Sequence, residues 1–141
     1  MKLKTFTWKI LKNNCENTIL RDIRSIQNQN IEDIEIILVN DFSKDKTLML
    51  INQLQKEDPR IIIINNKKRM GTLYSRSIGA LATKGKYLSP LDNDDMLLDT
   101  DVFNYIFYEA NNNNYDIVKF RGLWARSIEN LCLKKLKQKF T

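Results

Sequence analysis

The stretch Ile34-Glu35-Ile36-Ile37-Leu38-Val39-Asn40-Asp41-Phe42-Ser43 decides the reading of this chain. Its first six residues are almost continuously apolar and rich in branched side chains, and a polar turn follows at once. A strand with one wet face would alternate, so this one reads as buried on both faces. Such a strand needs helices above and below it, and the flanking sequence supplies them. Upstream, Ile19, Leu20, Ile23 and Ile26 fall at helical spacing within residues 16–29, with Asn17 or Thr18 as a cap. Downstream, Thr47, Leu48, Leu50, Ile51 and Leu54 mark a second helix that Asp58-Pro59 closes.

The same alternation continues. Ile61-Ile62-Ile63-Ile64 is a second buried strand. Thr72 to Ala82 reads as a helix carrying Leu73, Ile78, Ala80 and Leu81, stopped by Gly85. Tyr87-Leu88 and Pro90-Leu91 form an edge-like strand ending in Asp92-Asn93-Asp94-Asp95. A fourth helix is expected near 99–111, with Val102, Phe103, Ile106, Phe107 and Ala110 inward, and a further strand at Asp116–Phe120. Buried strands alternating with helices imply parallel pairing, hence an α/β, Rossmann-like architecture. Ligands in such sheets sit beyond the carboxyl ends of the strands. Asp41 and the 92–95 cluster both follow strands, so they belong to one edge.

Composition narrows the chemistry. The chain has 141 residues, room for one domain, with 43% hydrophobic and 28% charged residues. It holds no His and only Cys15 and Cys132, which excludes Ser-His-Asp and Cys-His catalysis and disfavours zinc. Two distant cysteines make no disulfide framework. The net charge of +6 raises the question of nucleic acid, but the cations cluster at the ends. Residues 1–14 carry four lysines and no acid, and residues 119–141 carry seven cations against Glu129. The body between them is net negative, so a nucleic-acid partner is not expected.

Asp92, Asp94 and Asp95 crowd three carboxylates into four residues. Like charges so close repel, and a divalent cation removes that penalty. An oxygen-only donor set favours Mg²⁺ or Mn²⁺, with substrate phosphates completing the shell. The alternative is an acidic turn that caps the next helix, helped by Asp99. Asp41 either serves a ligand or, as the common turn former that Asp is, simply closes a turn, and taken alone the turn is the favoured reading. Arg76 pairs either with a nucleotide or with a structural carboxylate.

Taken in series, these segments resemble the nucleotide-sugar-binding half of family 2 glycosyltransferases, which have the GT-A fold. The matching stretches are Ser25-Ile26-Gln27-Asn28-Gln29, Ile34 through Thr47, Asp58-Pro59-Arg60-Ile61, Gly71 through Gly79, Gly85-Lys86-Tyr87-Leu88, and Leu91 through Asp95. Their order and spacing agree over about residues 14–120. The resemblance implies that Asp41 contacts the nucleotide base and that Arg76 lies near base and diphosphate. It makes Asp92-Asn93-Asp94 the DxD motif, Asp92 touching ribose or metal-bound phosphate and Asp94 holding the metal, with Asp95 beside it. Asn14 fills the last place of the family's opening turn and joins Asn93 in the nucleotide-sugar-binding set. The implied reaction is metal-assisted transfer of a sugar from a nucleotide-diphosphate sugar, UDP-linked by family habit, to an acceptor hydroxyl with inversion.

Departures from the pattern are equally specific. Thr7-Trp8-Lys9-Ile10-Leu11-Lys12 is a poor copy of the family's opening strand, and residues 1–13 read as an atypical segment ahead of the domain. Asn40 stands for a common Asp and Ser77 for a common Asn. The acceptor-binding half and its catalytic base are expected beyond residue 120, so the chain reads as a truncated donor-binding half. The 121–141 tail, with Leu123, Trp124, Ile128, Leu131, Cys132 and Leu136 among lysines, reads as a basic amphipathic helix. It would cover an incomplete core or lie on an anionic membrane surface. With no apolar signal or spanning segment, the expected location is cytoplasmic, with membrane association through that tail. A catalytically dead binding module is the main alternative. A haloacid-dehalogenase-type phosphatase would use Asp92 as nucleophile and Asp94 as acid–base. It expects Thr or Ser where Met96 stands and places its D-x-D after the first strand.

Overall fold

The computed structural model describes residues 6–11 as backbone, and residues 14–92 and 95–119 with their side chains. Four strands and four helices alternate along the chain: β1 (Phe6–Leu11), α1 (Ile19–Gln27), β2 (Ile34–Asn40), α2 (Thr47–Glu57), β3 (Ile61–Asn65), α3 (Thr72–Leu81), β4 (Tyr87–Leu88) and α4 (Val102–Asn112). The strands form one parallel sheet in the order β3-β2-β1-β4. The architecture is therefore α/β, as the alternation predicts.

All seven residues of β2 are buried. Its alternating side chains feed two separate cores. Ile34, Ile36 and Leu38 pack with Ile19, Ile23 and Ile26 of α1, Ile51 and Leu54 of α2, and Phe103 of α4. Ile37 and Val39 pack on the other face with Ile64, Ile78 and Ala82. Helices α1, α2 and α4 thus share one face of the sheet with the larger core, and α3 covers the other.

Several elements differ from the sequence reading. Phe6–Leu11 is a strand between β2 and β4, with Ile10 opposite Val39 and Leu11 opposite Asn40. The sheet thus begins ahead of the boundary expected at residue 14. Its register to β2 shifts between Thr7 and Lys9, an irregularity that blurs the period-two pattern in the sequence. The edge strand keeps only Tyr87-Leu88; Pro90-Leu91 lies outside it, where proline has no N–H to pair. No strand forms at 116–119, and Ile117 is 85% exposed. Helix α3 turns Ser75 and Gly79 inward and leaves Leu73 and Leu81 in solvent. Small residues four apart let this helix lie close to the sheet, so the apolar count in the sequence misstates its buried face. The 121–141 tail lies outside the described residues.

Candidate functional site

The strand order reverses direction between β1 and β4, the place where an α/β sheet opens a crevice beyond its strand ends. Asn14 follows β1, Asp41 follows β2 and Asp92 follows β4. All three therefore belong to the carboxyl edge of the sheet.

Asn14 and Phe42 are both in the left-handed region, at φ 59° and 60°. Asparagine adopts that conformation readily, whereas a bulky aromatic residue seldom does. The loops that carry them are laced together. The Asn14 N–H donates to Ser43 Oγ at 3.2 Å, and Asn14 Oδ1 accepts the Lys44 N–H at 3.0 Å. Next to them, Thr47 Oγ1 accepts the Cys15 N–H at 2.9 Å. Asp45 Oδ2 accepts the Glu16 N–H at 3.1 Å, and Glu16 Oε2 accepts the Lys46 N–H at 2.9 Å. Burial pushes the Asp45 carboxyl up, but hydrogen bonds from Thr47 and Glu16 outweigh it and leave the pKa below its usual value. Asn40 donates to Asn65 Oδ1 on β3 at 3.1 Å and accepts the Ser43 N–H at 3.2 Å.

Asp41 is 5% exposed and ties β2 to the loop before α3. Its Oδ1 accepts Asn66 Nδ2 and the Met70 N–H, each at 2.7 Å. Its Oδ2 accepts the Gly71 N–H at 2.9 Å. Burial raises this carboxyl, while donors from Met70, Asn66, Gly71 and Ser75 together bring its pKa below the ordinary value. Gly71 sits at φ 89° as the residue that opens α3, a conformation glycine takes without strain. Asp41 thus closes the turn between β2 and the loop before α3.

Helix α3 carries this bracing across to the acidic cluster. Arg76 Nη2 contacts Asp92 Oδ1 at 2.7 Å. The Asp95 N–H donates to the Asp92 carbonyl at 3.1 Å, and Asp95 Oδ2 accepts the Asp92 N–H at 3.4 Å. Arg76 therefore neutralises one of the crowded carboxylates. Asn93 and Asp94, the rest of the acidic motif, lie outside the described residues. Among the described residues no three carboxylate or thiol side chains gather as a ready-made metal cage.

The sequence reading missed what holds the acidic segment in place. Ser25 Oγ accepts the Leu97 N–H at 3.0 Å, and Gln29 Nε2 donates to the Asp99 carbonyl at 2.6 Å. Gln29 Oε1 accepts the Phe103 N–H at 3.1 Å, capping the first turn of α4 from a different helix. Asp101, at the N-cap itself, makes no side-chain cap bond. Ser25 and Gln29 lie in a stretch that resembles the family, but nothing local shows their partners, which lie seventy or more residues away.

The model of the family described as "Glycosyl transferase family 2" matches residues 10–133. The chain is 43% identical over 83 residues to an uncharacterized glycosyltransferase of Haemophilus influenzae, covering 59% of this chain and 26% of that protein. It is 36% identical over 95 residues to the Escherichia coli UDP-Glc:alpha-D-GlcNAc-diphosphoundecaprenol beta-1,3-glucosyltransferase WfaP, covering 67% and 37%. In three dimensions it is similar to Staphylococcus aureus TarS 1–349 in complex with UDP-GlcNAc. That likeness has a TM-score of 0.77 at 18% identity and covers 88% of this chain and 36% of that one. The mannosyltransferase PcManGT of Pyrobaculum calidifontis, in complex with GDP-Man and Mn²⁺, shares the fold at a TM-score of 0.68 and 17% identity. It is covered over 32% of its length, against 74% of this chain. The chain thus spans roughly a quarter to two fifths of these proteins. The match across most of its length shows that this chain belongs to glycosyltransferase family 2.

Proposed function

We propose that this chain forms the donor half of a glycosyltransferase, binding a nucleotide-diphosphate sugar, of UDP type, at the carboxyl edge of its sheet. The observation that carries the reading is the continuous brace from Asp41 through Gly71 and α3 to the Arg76–Asp92 pair. It links a residue expected at the base to residues expected at the diphosphate. Asn14, Asp41, Arg76, Asp92 and Asn93 are the donor-binding set in this reading. Asp41 contacts the base in this reading, and its bonds to Asn66, Met70 and Gly71 hold the neighbouring loop in place.

The donor set suits Mg²⁺ or Mn²⁺: carboxylate oxygens, with neither His in the chain nor Cys in the cluster. Asp94 with Asp92 would hold the cation, with Asp95 adjacent. When bound, the cation supplies charge neutralisation for the departing nucleoside diphosphate. The chain's own part is to orient the donor and to keep Arg76 beside the phosphates. Transfer to an acceptor hydroxyl, with inversion, needs a general base, which this reading places in the remaining part of the relatives' length. A role in the cytoplasm with membrane-surface contact through the basic tail belongs to the same proposal. Among the described residues no helix is long and apolar enough to cross a membrane.

Calorimetric titration with UDP, with and without Mn²⁺, tests the reading on the chain and on Asp94→Ala. Metal-dependent binding that the variant loses is the expected result. A folded chain that binds neither UDP nor GDP under either condition overturns it, leaving a family member without donor chemistry.

A further inference from the structure

Among the described residues at the candidate site, the bulkiest side chain on left-handed backbone belongs to neither hydrophobic core. This is Phe42, which holds φ 60° and is 43% exposed. The other described non-glycine residues at positive φ, Asn14 and Asn114, are of the type that tolerates this backbone. A glycine or asparagine at 42 would make the same turn with less strain, and an exposed ring adds little to folding. Strain of this kind persists where the surroundings over-determine it, and it concentrates at ligand sites.

The surroundings of Phe42 are over-determined on both sides. Asp41 is fixed by Asn66, Met70 and Gly71. Ser43 is fixed by Asn40 and Asn14, and Lys44 by Asn14. The peptide on either side of Phe42 therefore cannot swing, and the ring is presented from a rigid mount between the loops that follow β1 and β3. Tyr74 is comparably exposed, but it rides on ordinary helical backbone in α3. Among the described residues, only Phe42 combines an aromatic surface, solvent access and a backbone conformation that costs free energy.

We infer that Phe42 is a stacking platform for the base of the donor nucleotide. The inference rests on the donor-site reading above and adds the residue that meets the flat face of the base. Aromatic stacking is tolerant of base identity because every base presents a π-face. Phe42 would then contribute affinity for the nucleoside, while discrimination between bases falls to polar groups at the base edges.

The test compares the full chain with Phe42→Gly, Phe42→Asn and Phe42→Trp, titrated with UDP and separately with pyrophosphate, both with Mn²⁺. Phe42→Gly and Phe42→Asn should raise the melting temperature by relieving strain, yet weaken UDP about tenfold. Pyrophosphate, which has no base, should bind all four proteins alike. Phe42→Trp should keep UDP affinity, and UDP should quench its indole fluorescence. Unchanged UDP affinity in the glycine and asparagine variants overturns the inference and leaves the donor site standing. Equal weakening of UDP and pyrophosphate also overturns it, since that marks a change of loop shape. A wild-type chain that binds no nucleotide removes both readings together.

Discussion

Asp58 shows what one residue contributes. Its side chain is 10% exposed and accepts Arg60 Nη2 at 2.8 Å, Arg60 Nε at 3.0 Å and Gln27 Nε2 at 2.9 Å. The Arg60 guanidinium, with help from Gln27, holds its pKa at about 2. The unfolded carboxyl titrates near 4, so the folded state favours the ionised form. The stabilisation is complete above the unfolded value and is lost as pH falls from about 4 towards about 2. Its size is about 1–2 kcal/mol, since Arg60 is partly solvated. Urea unfolding should find Asp58→Asn less stable than wild type by that amount at pH 7, with the gap closing below pH 4. A gap independent of pH would mean that the pair does not stabilise the fold. The Asp58-Pro59-Arg60 triplet was visible in the sequence as a helix stop. Its ion pair was not, because two-residue spacing says nothing of side-chain direction.

At the scale of elements, the acidic segment is positioned from a distance. Helix α4 takes its cap from Gln29, whose carbonyl oxygen receives the Phe103 N–H while its amide holds the Asp99 carbonyl. Gln29 is 6% exposed, so its removal strands buried polar groups. Gln29→Ala should cost about 2–3 kcal/mol in chemical denaturation. It should also speed amide hydrogen exchange over residues 95–103 while β2 keeps its protection. Uniform loss of protection would show instead that the segment and the sheet unfold as one unit. The sequence carried the motif Ser25 to Gln29 as a recurrent pattern, but its task in bracing the acidic loop needed the third dimension.

Across the whole molecule, β2 is the seam between two cores, and stability should follow that division. Leu38 is fully buried in the larger core, whereas Leu81 is 85% exposed on α3. Leu38→Ala should lose about 3 kcal/mol, while Leu81→Ala should change stability by under about 0.5 kcal/mol. Equal losses, measured by thermal unfolding, would place Leu81 in an apolar contact. The exposure of Leu73 and Leu81 runs against their hydrophobicity and goes with the burial of Ser75 and Gly79 on the opposite side of α3.

The sequence by itself determined the α/β class, the buried strands β2 and β3 with their flanking helices, and the edge on which acidic residues collect. Those follow from local periodicity and from the need to cover a doubly buried strand. The sequence reading missed β1 and led to a strand at 116–120 that does not form over 116–119. Tertiary structure alone decided that Phe6–Leu11 lies between β2 and β4, that α3 buries its small residues, and that Asp41 accepts hydrogen bonds from the loop before α3. It also decided that Arg76 meets Asp92 and that the ring of Phe42 is mounted on strained backbone. The physical reason is range. Burial patterns are written in neighbouring residues, but hydrogen-bond partners and backbone strain are set by segments far apart in the chain, brought together by the sheet.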